Sequence, residues 1–336
     1  MEETILFIDR ENILDDTYEE LNNKDIKDRS IKITYKNEVN YDDYDDIRLK
    51  DWLSRISEII KESEAFTFDS SGNSYIVKDK SDYDSDRIYI LTGQILGIAF
   101  NNNERLDIKF SSILWKLILD KDLSLDDMED FNYYVYDTLK NVEEKDVSSM
   151  NITFVDYYED ELIKNGKNIQ VTNENKGKYI ELMYNRIIYN GVDVDKLDLV
   201  KNAFESVVSF SKYKDKNADD IMDQINGDDI VDVDDLIENI EYNSQDKEYV
   251  DLFFKIIKKF SNENLKKLIK FITGSSAVPV KGFTYLEKSI NIMITDNNTN
   301  WYPMASTCTN TIFFSKYKSY EQFEKKLYLA INAEDL

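Results

Sequence analysis

Apolar residues return every three to four positions along most of this chain, the spacing of amphipathic helices, with short alternating stretches between them. Leu49, Trp52, Leu53, Ile56, Ile59 and Ile60 share one helical face. Two strand-like segments follow, Phe66-Thr-Phe68 and Tyr75-Ile-Val77, separated by a turn at Ser71-Gly-Asn73. Helical patterns then cover about 86–100 and 110–119. Ser124, with Asp127 three residues on, predicts an N-cap, and the helix it opens carries Val135, Leu139 and Val142 on one face. Met150–Val155 and Asn168–Val171 read as short strands, and helices resume at about 175–189, 197–210 and 218–225. Gly227-Asp228-Asp229, a glycine followed by acids between two helical patterns, predicts a hinge. Beyond it the pattern gives helices at about 246–260 and 263–273, the second ended by Gly274. Ser289–Thr295, with Ile290, Ile292 and Ile294 on one face, and Thr311–Phe314 read as strands. Ser319 with Gln322 fits a capping box for a last helix that buries Phe323, Leu327, Ala330 and Ile331. The expected class is α+β, mainly helical, with a smaller α/β unit after the hinge.

Composition narrows the chemistry. The 336 residues suit roughly two domains, and 42% apolar with 13% aromatic content supports a packed core. The formal charge is −25, from 67 acids against 42 bases, which argues against nucleic acid and anionic membranes as partners. One cysteine allows no internal disulfide and suits a reducing compartment. Met1 to Phe7 has neither a basic segment nor a long apolar run, so it does not read as a signal peptide. Ile88 to Phe100 is too short to span a bilayer and contains Gln94. A cytoplasmic setting is the expectation, with the nucleus or a host cell left open.

The chain has no histidine, which closes the cysteine proteases that use a His base and the zinc sites that need several Cys or His ligands. A Cys-x5-Arg phosphatase loop would need Arg where Phe314 stands. The acids from Asp228 to Asp235 lack the sixth-position glycine of an EF-hand, and no P-loop or dinucleotide fingerprint is present. No metal and no cofactor are expected. The rare residues nevertheless gather near the C-terminus: Cys308 in Pro303-Met-Ala-Ser-Thr-Cys-Thr-Asn310, and the second of two prolines, Pro279, in Phe271-Ile-Thr-Gly-Ser-Ser-Ala-Val-Pro-Val-Lys-Gly-Phe283.

These two segments resemble the Pro-x-x-His-Thr-Cys-Phe-Asn loop and the Phe-x-Thr-Gly-Ser-x-Arg-x-Pro-x-x-Gly-Phe run of the HECT family of ubiquitin ligases. Ile169-Gln-Val-Thr-Asn-Glu-Asn-Lys176, Leu91-Thr-Gly-Gln-Ile-Leu-Gly-Ile-Ala-Phe100 and Asp9-Arg-Glu-Asn-Ile-Leu-Asp-Asp16 resemble further family segments, in family order along nearly the whole chain. The resemblance implies a bilobal fold: an N-lobe over 1–226, with a subdomain at about 123–171 that docks the ubiquitin-conjugating enzyme, a hinge at 227–229 (Gly227, Asp228, Asp229), and a C-lobe over 230–336. It implies that Cys308 accepts ubiquitin from the conjugating enzyme as a thioester and passes it to a lysine of a protein substrate. The family's docking positions fall on Tyr136, Leu139, Val142, Met150 and Ile152, which are also core positions by periodicity.

Transthiolation suits a lone cysteine, because a thiol is partly ionised at neutral pH and the leaving group is itself a thiol. The resemblance gives Thr307 and Asn310 a role in holding the loop or the thioester oxygen; satisfying turn hydrogen bonds is the competing reading. Glu334 and Asp335 are candidate acids for the attack by lysine, against a solvated tail. The chain departs from the family at Ser306 (His), Ala277 (Arg), Thr309 (Phe) and a tail without the usual phenylalanine. Tyr41-Asp-Asp-Tyr-Asp-Asp46 stands in place of an Asp-Tyr-Gly-Gly-type segment. These departures bear more on transfer to lysine than on loading. The alternative is a degenerate HECT fold acting as an adaptor or decoy that binds ubiquitin or the conjugating enzyme. The long regions usual upstream in the family are not seen in these residues, so the chain is expected to be an excised domain or a minimal ligase.

Overall fold

A computed structural model describes residues 2–38, 45–63, 65–68, 74–76, 83–228, 230–279, 282–286, 288–295 and 299–333. The class is α+β, as expected. The chain forms two compact units: 1–59 with 98–108 and 223–336, and 60–97 with 109–222. Among the described residues no helix is long and apolar enough to cross a membrane.

The first unit opens on a parallel strand pair, Glu3–Ile8 with Ser30–Tyr35, joined by the helix Ile13–Asn23. Alternation puts Leu6, Ile8, Ile31, Ile33 and Tyr35 in the core. The helix Asp45–Glu62 buries Leu49, Trp52, Leu53, Ile56 and Ile60, and the Trp52 indole donates to Thr17 Oγ1 at 2.9 Å. Arg10 lies 3.6 Å over the Tyr35 ring and pairs with Asp51, which also accepts from the Tyr35 hydroxyl at 2.8 Å. Burial pushes the Asp51 carboxyl up, but Arg55, the Tyr35 hydroxyl and Arg10 together hold it below its ordinary value.

Residues 231–331 of the same unit share a hydrophobic core of their own. Its sheet has four strands in the order Ile240–Tyr242, Ile290–Ile294, Thr311–Phe314, Met304–Ser306, the last antiparallel and the others parallel. Helices Lys247–Ile257, Asn262–Thr273 and Tyr320–Ile331 accompany this sheet. Phe253, Phe314, Phe323 and Tyr317 form a chain of ring contacts in that order, with the Tyr317 and Phe323 rings 4.6 Å apart. Such pairs add about 0.5–1.5 kcal/mol each beyond their buried area. Ser319 caps the last helix, but the Gln322 side chain donates to the Thr299 carbonyl and does not close the predicted box.

The second unit is mainly helical, with an antiparallel strand pair, Phe66–Phe68 with Ser74–Ile76. Gly93 and Gly97 lie one turn apart on the helix Tyr83–Asn102 and face the helix Val194–Val207. A methyl at Gly93 would stand 2.1 Å from the Val200 carbonyl oxygen, so the Thr-Gly-Gln-Ile-Leu-Gly motif is a close helix crossing. Ser124 and Asp127 do form a capping box, yet the predicted single helix is broken. A 3-10 turn and the short helix Met128–Phe131 end at Asn132, which caps a new helix, Tyr133–Glu144. The strands expected at 150–155 and 168–171 are absent. Only isolated bridges, Thr153 to Gln170 and Val155 to Glu161, are present; Phe154 N is shared between the Gly166 and Ile169 carbonyls, so the backbone bonds follow a turn rather than a ladder.

Candidate active site and docking surface

The antiparallel strands Met304–Ser306 and Thr311–Phe314 are joined by a tight turn, and Cys308 sits at its exposed tip. The turn closes through Asn310 in the left-handed region (φ 47°), which asparagine tolerates better than most residues. Asn310 is buried. Its side-chain amide donates to the Lys288 carbonyl at 2.8 Å, and its own carbonyl accepts from Asn291 N at 2.8 Å. Thr309 Oγ1 donates to Ser306 Oγ at 3.0 Å, so Ser306 is held within the turn. Lys288 Nζ donates to the Cys308 carbonyl at 3.1 Å.

The 262–273 helix packs against this turn and ends at Gly274 (φ 81°), a conformation that favours glycine. Thr307 Cβ lies 3.6 Å from where a Gly274 side chain would begin, so this C-cap forms the floor beneath the turn. The rest of the Phe271–Phe283 motif is structural too. Ser276 Oγ donates to Asp107 Oδ2 at 2.6 Å, and Ser54 Oγ donates to the same oxygen at 2.6 Å. Phe283 N donates to Asp235 Oδ2 at 2.8 Å. Ala277, where the family has Arg, is buried and carries no charge.

Thr307, Cys308 and Asn310 therefore share one turn, with the thiol outward and the asparagine amide inward. Glu334 and Asp335 lie outside the described residues. Gly227 and Asp228 pair antiparallel with Pro279 and Val278 as two-residue strands. A methyl at Gly227 would stand 2.3 Å from the Leu106 carbonyl oxygen, so the expected hinge glycine is closely packed here. Asp229 is outside the described residues.

The second site lies around the helix Tyr133–Glu144. Val135, Leu139 and Val142 face inward, and Leu139 is only 1% exposed. Tyr136 and Ile152 are half-buried, and Met150 is exposed. Around them stand four exposed tyrosines absent from the sequence reading: Tyr133, Tyr134 (76%), Tyr157 and Tyr158 (84%). Tyr157 bonds to Thr138, and the Tyr133 and Tyr136 rings lie 6.2 Å apart. Their signal in the sequence was two Tyr-Tyr doublets, which no single buried stripe can absorb.

The Val-Thr-Asn-Glu-Asn motif holds this region together. Asn173 Oδ1 accepts from Val147 N, and Asn175 Oδ1 accepts from Thr172 N. Lys176 Nζ donates to the Glu143 and Lys145 carbonyls, closing the C-terminus of the 133–144 helix. Asp146 Oδ1 accepts from the Ser148 hydroxyl at 2.6 Å, the Ser148 amide and Asn173 Nδ2. These bonds hold its carboxyl down at about 2.

A family model for the HECT domain (ubiquitin-transferase) matches residues 54–335. The chain belongs to the HECT family. It is 31% identical over 257 residues to the E3 ubiquitin-protein ligase TOM1-like of Neurospora crassa, covering 72% of this chain and 6% of that protein. It is 27% identical over 354 residues to mouse (Mus musculus) E3 ubiquitin-protein ligase HUWE1, covering 98% and 8%. E3 ubiquitin-protein ligase RSP5 of Chaetomium thermophilum is 29% identical over 254 residues, covering 71% and 31%. This HECT chain thus spans less than a third of the length of these relatives.

Proposed function

We propose that this HECT chain is a ubiquitin-protein ligase that works through a thioester on Cys308. The observation that carries the reading is an exposed thiol at the tip of a rigid hairpin turn, flanked by the family's Thr and Asn, in a chain without histidine. The Cys308 thiolate attacks the ubiquitin thioester on the conjugating enzyme. A new carbon–sulfur bond forms, the old one breaks, and the departing thiolate takes up a proton. A substrate lysine amine then attacks: the isopeptide bond forms, Cys308 leaves as thiolate, and the amine proton goes to solvent or a carboxylate. The attacked thioester is already activated and its leaving group is a thiolate, so the first exchange needs placement more than a base.

In this reading the conjugating enzyme docks on Tyr136, Met150 and Ile152, extended by Tyr133, Tyr134, Tyr157 and Tyr158. Leu139 and Val142 support that surface from beneath. Exposed aromatics ringed by polar residues are the composition of interface anchors. The lobe division at 227–229 belongs to the same proposal, and so does a cytoplasmic setting.

The test mixes the chain with ubiquitin, activating enzyme, a panel of conjugating enzymes and ATP, followed by a non-reducing gel. A thiol-sensitive adduct that vanishes in Cys308→Ala is expected, with lysine-linked products surviving reductant. No adduct across the panel would leave the fold as a binding module and overturn the ligase reading.

A further inference from the structure

Lys288 touches the Cys308 turn at both of its own ends. Its carbonyl accepts from the buried Asn310 amide at 2.8 Å, and its ammonium donates to the Cys308 carbonyl at 3.1 Å. The residue is exposed, two positions before the Ile290–Ile294 strand. Acids outnumber bases 67 to 42, yet among the described residues no carboxylate pairs with the Lys288 ammonium. Its charge is therefore spent on the main chain of the one cysteine.

The other elements around the turn contribute little charge. The strands 290–294, 304–306 and 311–314 have no ionisable side chain. The last turn of the 262–273 helix has Lys270, a second cation. Arg48, one residue from the Ile47 that approaches Gly274, is bonded to the Ile33 carbonyl. With no histidine in the chain, Lys288 is the cation hydrogen-bonded to the residue that carries the thiol.

We propose that Lys288 is the positioning residue of the Cys308 thiol, its ammonium fixing the turn through the Cys308 carbonyl and adding positive charge at that residue. The proposal rests on Cys308 being the reactive group of the reading above. A cation beside a thiol stabilises the ionised nucleophile and, in transthiolation, the negative charge that gathers at the attacked carbonyl. The bond to the Cys308 carbonyl holds the ammonium against the main chain of the cysteine. A free surface lysine would be screened and mobile.

The test compares wild type, Lys288→Met and Lys288→Arg, each confirmed as folded by its thermal melt. The first readout is the rate of alkylation of Cys308 by iodoacetamide at pH 7, which needs no ubiquitin. Lys288→Met is expected to slow alkylation about three- to tenfold. Lys288→Arg, which keeps the charge and cannot accept ubiquitin, is expected to stay within about twofold of wild type. The second readout is the rate of adduct formation from a pre-charged conjugating enzyme, which should fall in the same order. Equal alkylation of wild type and Lys288→Met would overturn the proposal. So would an arginine variant as slow as the methionine variant, since that would mark a packing role. If alkylation follows charge but no variant forms a ubiquitin adduct, the charge effect stands and the ligase reading fails.

Discussion

The Cys308 turn and the tyrosine-rich face of the 133–144 helix are built on opposite plans. At the turn, the proposed reactive group is one exposed thiol, and its surroundings are committed to holding the turn: Asn310 to Lys288, Thr309 to Ser306, Lys288 to Cys308. At the helix face, the exposed surface is broad and apolar, and the polar bonding lies behind it in Asp146, Asn173, Asn175 and Lys176. A nucleophile needs a fixed backbone and free solvent access. A docking face needs area, and only its frame has to be rigid.

That contrast ranks the outcomes of substitution. Leu139→Ala should have the largest effect. Leu139 is buried, so its loss should destabilise the second unit by about 2–5 kcal/mol in urea unfolding, irrespective of any partner. A variant that unfolds normally yet fails to form an adduct would instead put Leu139 on the docking surface. Asn310→Ala comes next. It leaves the Lys288 carbonyl without its donor and a left-handed position without asparagine, which should cost about 1–3 kcal/mol and slow loading of Cys308. Unchanged stability would mean the amide is not what holds the turn.

Changing Tyr134 and Tyr158 together to alanine should do the reverse. Stability should move by no more than about 0.5 kcal/mol, as for other exposed sites, while adduct formation at limiting conjugating enzyme falls about tenfold. An unaltered rate would remove the tyrosines from the docking surface. The smallest effect is a local one at Asp146. Because its folded value, about 2, lies below that of an unfolded aspartate, the bonds to Ser148 and Asn173 contribute fully above about pH 4 and are lost as pH falls through about 2. An NMR titration of the Asp146 carboxyl should show a midpoint near 2 in wild type, rising toward the ordinary value when Asn173 is replaced by alanine. An ordinary midpoint in wild type would show that these bonds do not form in solution.

The same contrast explains what the sequence made legible. Helices with a strong apolar stripe, such as 45–62 and 320–331, stood out by periodicity. Cys308 stood out because its chemistry admits one residue type. The proposed docking side chains were harder, since Leu139 and Val142 obey the helical period for core reasons, and the outward tyrosines break it. The strands expected around 150–171 shrink to isolated bridges because a turn at 163–169 intervenes and takes the Phe154 amide to the Gly166 as well as the Ile169 carbonyl. The parallel pair at 3–8 and 30–35 was missed because its partner strand lies beyond a helix, outside any local window. Lys288 had no sequence signal, because its role depends on a turn twenty residues away.

The most direct test of the account is the intact mass of the chain after brief incubation with a ubiquitin-charged conjugating enzyme and no ATP. The account predicts a mass increase of one ubiquitin that disappears on adding thiol and never forms in Cys308→Ala. An increase that persists in Cys308→Ala, or no increase while the conjugating enzyme stays charged and bound, would contradict it.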